Sequence, residues 1–175
     1  MQPAFVRLFE SAAERSLAAG GTLFHTGDPV QLMFMVRAGV VSLTRVTRAG
    51  EQIILQRAGP GQVVSEASAY SSTYHCDAVG TGAQGAGLAF LPVLQFRAAL
   101  AQDSAMAEAW AAHLAHAVQA ARLRAELRSL RKVSDRLDAW LGERRVLPDR
   151  GQWQELAAEL GVTREALYRE LARRR

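Results

Sequence analysis

No proline occurs between Pro92 and Pro148, and this gap limits what each half of the chain can fold into. A proline inside a helix removes a hydrogen bond and clashes with the turn before it. Within the gap alanine takes over, and the segment from Asp103 to about Leu130 reads as one long helix with Asp103 or Ser104 as its N-cap. A second helix, about Val133 to Leu141, follows a polar, arginine-rich junction at Arg128 to Lys132, which reads as a hinge and domain boundary. From Gly20 to about Pro92 the pattern changes to short β-branched runs between glycine and proline turn signals, as in a small all-β sandwich or roll. Val40 to Val46 and Gln52 to Arg57 flank Thr47, Arg48, Ala49 and Gly50 as a hairpin. The uncharged stretch from Ala78 to Phe96 is long enough for a membrane span, yet its glycines and Pro92 make it strands and turns.

Charge follows the same division. Residues 1–121 hold 7 Lys and Arg against 8 Asp and Glu, net −1, while residues 122–175 hold 14 against 9, net +5. A nearly neutral body thus carries a basic tail that suits phosphate backbones or anionic lipid, and equally a solvated helix face. At 175 residues, two folding units are expected. The single cysteine, Cys76, excludes an internal disulfide framework and an iron–sulfur cluster held by four thiolates of one chain. A reducing cytoplasm is the expected location. Arg7, Glu10 and Glu14 interrupt the apolar run that a signal peptide would need, and no membrane partner is expected.

The most specific segment is Gln154 to Arg174, which reads as helix, glycine turn, helix. Leu156, Ala157 and Leu160 give the first helix an inner face, and Gly161 ends it. Thr163 caps the second helix, with Glu165 in its first turn. Leu167 and Leu171 hold the two together, leaving Arg164, Glu165, Tyr168 and Arg169 on or near the outer face, where a recognition helix presents side chains to the major groove. Upstream, Leu114, Val118, Ala121 and Ala125 recur at helical spacing as a narrow apolar seam that suits a partner helix, or packing on the β region.

Thr163, Arg164, Glu165 and Arg169 resemble the start of the recognition helix in the CRP/FNR family of bacterial transcription regulators. Gly27-Asp28, the Gly39 turn, Gly59-Pro60-Gly61 and Ser65-Glu66-Ala67 resemble landmarks of that family's cyclic-nucleotide-binding-like β-roll. The resemblance implies an α+β fold: a jelly-roll-like β-roll sensor over residues 1–100, a dimerisation helix over 101–130, and a DNA-binding helix-turn-helix over 131–175. It implies a homodimer on a palindromic double-stranded operator with half-sites like TGTGA, RNA polymerase as a further partner, and a small-molecule effector in the roll. Arg164, Glu165 and Arg169 would contact bases, with Arg173 to Arg175 on phosphate.

Two departures bear on this expectation. The family's cyclic-AMP pocket uses a glycine and glutamate, then an arginine and serine against the phosphate, and a Thr-Ser pair on the long helix. The aligned positions here are Ser65, Glu66, Cys76, Asp77, Ala121 and Arg122, so only the glutamate survives and cyclic AMP is not the expected effector. Family members also continue past the recognition helix into a β-hairpin wing, whereas this sequence reaches its last residue at Arg175, so a complete wing is not expected.

Other functions are weighed on the same residues. His75-Cys76-Asp77 invites a haem, metal or redox reading, but neighbours on a strand point to opposite faces, and a buried hydrophobic thiol is the plainer role. No metal site is assigned, and the cofactor is unknown. His113 and His116 could form half of a site across a dimer, or simply lie at a surface or interface. A cupin-like enzyme needs clustered histidines, whereas only His25 and His75 lie in the β region, and no nucleophile–base pair is evident, so no catalysis is expected. The stronger rival is a DNA-independent β-roll interaction protein.

Overall fold

The computed structural model describes residues 3–46, 48, 52–142 and 146–174. They divide into two compact units, Met1–Leu114 and Ala115–Arg175.

The first unit is a curled antiparallel sheet with helices. Its strands are β1 (Ala13–Leu17), β2 (Thr22–Phe24), β3 (Leu32–Val46), β4 (Gln52–Ala58), β5 (Val63–Val64) and β6 (Asp77–Pro92), in the order β1-β6-β3-β4, with β2 beside β6 and β5 beside β3. Two helices follow, α1 (Val93–Gln102) and α2 (Ser104–Ser129). This is the expected α+β class with a β-roll.

The pairing of β3 with β6 runs from Leu32 opposite Pro92 to Thr44 opposite Asp77, with register shifts at Val36/Ala38 and Gly39/Val40. Gly39 has φ +74°, and a Cβ there would lie 2.0 Å from the Gly85 carbonyl oxygen. Gly85 has φ +70°, and a Cβ there would lie 2.0 Å from the Leu17 carbonyl oxygen. A bulge adds local twist, so these glycines bend the sheet without breaking it.

That corrects the expectation of several strands and turns between Ala78 and Phe96: residues through Pro92 form one strand, and Val93 begins α1. The hairpin is present, with Val46 opposite Gln52, although Thr47, Ala49 and Gly50 of its turn lie outside the described residues. Strand β1 precedes the expected β region; only Leu17 of it is buried, so it lacks the alternation that marks a half-buried strand.

Asp103 caps α2, its Oδ1 accepting from the Met106 backbone N–H at 3.0 Å. The first turns of α2 complete the core of the first unit. Trp110 meets Phe5 edge-on at 5.0 Å and Phe96 at 4.8 Å. Leu114 packs against this same core, so the first residue of the apolar seam faces its own unit. Val118, Ala121 and Ala125 are exposed.

In the second unit α2 ends, and α3 (Val133–Gly142), α4 (Trp153–Leu160) and α5 (Arg164–Arg173) surround a core that includes Leu127, Leu137, Trp140, Leu156, Leu160, Leu167 and Leu171. The junction at 128–132 makes hydrogen bonds to the second unit's own helices. The Arg136 guanidinium donates to the carbonyls of Leu130 at 2.8 Å, Leu160 at 3.0 Å, Gly161 at 2.8 Å and Arg128 at 3.2 Å. The division between the units falls earlier, inside α2 after Leu114.

Replacing Gly39 by alanine combines a left-handed φ with a backbone clash, and is expected to cost about 2 kcal/mol or more of stability. Thermal or urea denaturation measures it, and a variant as stable as the parent would refute the close strand approach.

Candidate nucleic-acid interface and sensor site

The turn between α4 and α5 follows from local sequence. The Val162 N–H donates to the Ala157 carbonyl at 2.9 Å and the Gly161 N–H to the Ala158 carbonyl at 3.2 Å, a Schellman closure that needs the left-handed φ of +65° at Gly161. A side chain at Gly161 would also meet the Arg128 Cγ at 3.0 Å. Thr163 then caps α5, its Oγ1 accepting from the Ala166 N–H at 3.2 Å. Leu167 and Leu171 are buried, which leaves Arg164, Glu165 and Arg169 exposed on α5 and Tyr168 half-buried beside them.

Each polar residue on this face has a distinct environment. The Glu165 carboxyl lies below its ordinary range, first because it accepts from its own backbone N–H, then from the Thr163 hydroxyl, with Arg164 and Arg169 adding attraction. It therefore stays an ionised acceptor at neutral pH. Arg164 folds back along the helix: its Nη2 donates to the Tyr168 hydroxyl at 3.3 Å, and its guanidinium stands 5.1 Å from the ring centre. Arg150, just ahead of α4 and not expected from sequence, reaches the same ring at 5.7 Å.

The arginines expected on phosphate at residues 173–175 lie in different surroundings. Arg174 donates to Glu170 Oε1 at 2.7 Å, to Asp138 Oδ1 and to the Ser134 carbonyl at 3.1 Å, which ties α5 to α3. Arg173 donates to Glu170 Oε2 at 2.6 Å and is otherwise open to solvent. The Arg174 guanidinium is thus committed to carboxylates of its own unit, and Arg175 lies outside the described residues.

In the first unit, Ser65 leads into a short 3-10 turn, Glu66–Tyr70, with φ 56°. It is a non-glycine residue in the left-handed region at the position that the family resemblance gives to glycine. Ser65 and Ser68 hydroxyls share a 2.7 Å hydrogen bond, and buried Glu66 accepts from Gln56 Nε2 at 3.4 Å.

His75 and Cys76 form a bend ahead of β6 and not part of a strand, with Cys76 buried, His75 exposed and Asp77 turned to the loop after β2. Thr26 donates to Asp77 Oδ1 from its backbone N–H at 2.7 Å and its hydroxyl at 3.0 Å. The backbone bond chiefly holds the Asp77 carboxyl below its usual range. Burial pushes the Cys76 thiol up, with Arg45 opposing and Asp77 and Glu66 adding to the rise. Ala121 and Arg122 are exposed positions of α2 in the second unit.

The histidines are separated by environment. His75 Nε2 shares a 3.2 Å contact with the Ser71 hydroxyl. His113 packs between Phe5 and Trp110, while His116 is exposed. Among the described residues, no three His, Cys, Asp or Glu side chains gather as a metal site.

The first unit's sheet forms a curled roll and in the second unit α4 and α5 meet in a capped turn, and the sequence comparison bears on the roll. The cyclic nucleotide-binding domain family matches residues 14–103, and the chain belongs to that family. Its fold is that of the CRP/FNR proteins. FixK2 from Bradyrhizobium japonicum superposes with a TM-score of 0.72 at 19% identity, over 93% of this chain and 83% of that one. The c-di-GMP-responsive global regulator CLP from Xanthomonas campestris gives 0.67 at 23% identity, over 95% and 88%. The catabolite activator protein of Thermus thermophilus gives 0.57 at 24% identity, over 98% and 83%. No curated protein matches by sequence. Among the described residues, no helix is long and apolar enough to cross a membrane.

The buried, protonated Cys76 should react with iodoacetamide far more slowly in the folded protein at pH 7 than in denaturant, with a rate that climbs only above the ordinary thiol range. Rapid labelling of the folded protein at pH 7, followed by mass spectrometry, would instead reveal a thiolate suited to redox chemistry.

Proposed function

We propose that the protein is a homodimeric, DNA-binding transcription regulator of the CRP/FNR type, acting in the cytoplasm and without catalytic activity. The observation that carries this reading is the capped α5 with Glu165 and Arg169 exposed one turn apart and Arg164 beside them. Arginine forks onto the O6 and N7 of guanine, and glutamate accepts from the N4 amine of cytosine, so Arg169 and Glu165 select G·C pairs in one major groove, with Arg164, drawn onto Tyr168, at its edge. Thr163 and Tyr168 border the same face, and Arg173 adds a phosphate contact.

The exposed Val118, Ala121 and Ala125 stripe of α2 supports pairing with a second copy, which would place two α5 helices on inverted half-sites. RNA polymerase would be a further partner of such a dimer. The rival, a DNA-independent interaction protein, accounts less well for the outward charge of α5.

The effector in this reading is not cyclic AMP. Cys76 stands where the phosphate's arginine would be, beside the carboxylates of Glu66 and Asp77. Asp77 is held in its ionised form by Thr26, so at neutral pH it repels an anion and does not convert to a neutral donor.

Selection of bound sites from a random oligonucleotide pool should enrich an inverted repeat rich in G·C contacts. Arg169→Ala should cost on the order of 1–3 kcal/mol and relax one base position, and Val118→Glu should abolish the repeat. An unenriched pool, or binding indifferent to salt, would refute the reading.

Isothermal titration with cyclic AMP should show no micromolar binding, and a Cys76→Arg, Asp77→Ser double variant should gain affinity. Micromolar binding by the parent would overturn the argument from charge.

A further inference from the structure

We propose that Arg150 is a DNA-contacting residue which, with Arg164 and Tyr168, forms a seat for one phosphodiester of the duplex backbone flanking the groove that α5 enters. This rests on the DNA-binding reading above and adds to it a residue from outside the helix-turn-helix segment.

The geometry comes from separate elements meeting on one ring. Arg150 belongs to the 3-10 turn Arg150–Gln152 ahead of α4. Its guanidinium stands 6.0 Å from the Trp153 ring and 5.7 Å from the Tyr168 ring. Arg164, at the start of α5, stands 5.1 Å from the same Tyr168 ring. Trp153 meets Tyr168 edge-on at 4.8 Å, and its Nε1–H donates to the Pro148 carbonyl at 2.9 Å, which fixes the ring that supports the cluster.

Charge supplies the argument for an anion. The other arginines of α5's outer end are matched: Arg173 and Arg174 pair with Glu170, and Arg174 also with Asp138. Arg150 and Arg164, among the described residues, have no carboxylate within ion-pair distance. Two cations are therefore held against one phenol, both over its ring and Arg164 also on its hydroxyl, with no carboxylate bridging them. An anion between them would convert their mutual repulsion into two charge-assisted contacts. Both arginines also draw the Tyr168 hydroxyl toward ionisation, Arg164 first, which makes it a stronger donor to an oxyanion.

The donor set fits phosphate better than a base edge. Two forked guanidinium groups and one hydroxyl surround a point from several directions, matching a tetrahedral anion, whereas a base edge offers coplanar partners. Arg150 does not lie on the recognition helix, so its contact carries no sequence information.

The test is a salt series of binding to the selected operator and to a random duplex, comparing the parent with Arg150→Ala, Arg150→Gln and Arg150→Lys, alongside thermal melts. The two uncharged variants should weaken both duplexes alike and lower the slope of log K against log salt by about 1. The lysine variant should restore the slope, and no melting point should move. Parental affinity and slope in Arg150→Gln overturn the proposal, as does a changed base preference or a weakening that merely tracks lost stability. Titration with inorganic phosphate alone should show no saturable site, and tight binding there would assign the seat to a free anion instead. A parent that binds no DNA would overturn both this seat and the function it rests on, whereas a parent that binds with Arg150 silent would overturn the seat alone.

Discussion

At Leu17, Gly85 and Gly39, strands β1, β6 and β3 pass so closely that no side chain fits between their backbones. The geometry of the first unit depends on this approach. Antiparallel strands ordinarily lie a fixed hydrogen-bonding distance apart with side chains above and below. Removing the Cβ at two points lets the backbone turn through left-handed conformations, and the register slips there. The slip lets Met33 to Val36 and Val41 to Thr44 each bury themselves on either side of an exposed Arg37 to Gly39 segment. A flat sheet of the same composition would leave one of those runs in water, at a cost that scales with the apolar area exposed.

The second unit relies on a different device, because its helices are short and their ends are polar. Four of its carbonyl groups, two at the end of α2 and its junction and two at the turn between α4 and α5, converge on Arg136. Each would otherwise be an unsatisfied helix end or turn group, and one guanidinium, with its fixed fork of donors, satisfies them together. The consequence is mechanical. Residues 128–130 and the Gly161 turn share a partner, so the end of α2 and the turn between α4 and α5 are held to one another.

The parts legible from sequence were those set by near neighbours. The Gly161 turn and the Thr163 cap depend on residues within five positions, and the leucines of α4 and α5 mark their buried faces by period alone. The long α2 was legible for the same reason, down to Asp103 as its cap. Features set by distant partners were not legible. Glycine in β6 reads as a turn signal because what it accommodates is the backbone of β1, far away in sequence. Arg174 reads as a free tail charge because Asp138, which holds it, lies on α3. Arg150 shows no pattern at all; its significance appears only when Tyr168 is brought beside it. Leu114 fits the seam by spacing, yet its contacts belong to the core of the first unit.

The distribution of charge links the sensor residues to the proposed reading face. Glu66 and Asp77 both raise the thiol of Cys76, and Asp77 is fixed as an anion by two bonds from Thr26. Arg45 acts in the opposite direction, but its Nη2 is engaged by the His75 carbonyl at 2.7 Å. A ligand that brought a phosphate to Cys76 would therefore meet the ionised carboxylate of Asp77, and desolvating it without a counter-charge would be costly. The second unit has the reverse arrangement, with two arginines gathered on one phenol and, among the described residues, no carboxylate within ion-pair distance of them. The region that the family resemblance assigns to an anionic effector is poorly suited to one, while the surface beside α5 is well suited to a polyanion. Under the proposed function, a phosphate backbone fits the arginines beside α5, whereas a phosphate beside Asp77 lacks a counter-charge.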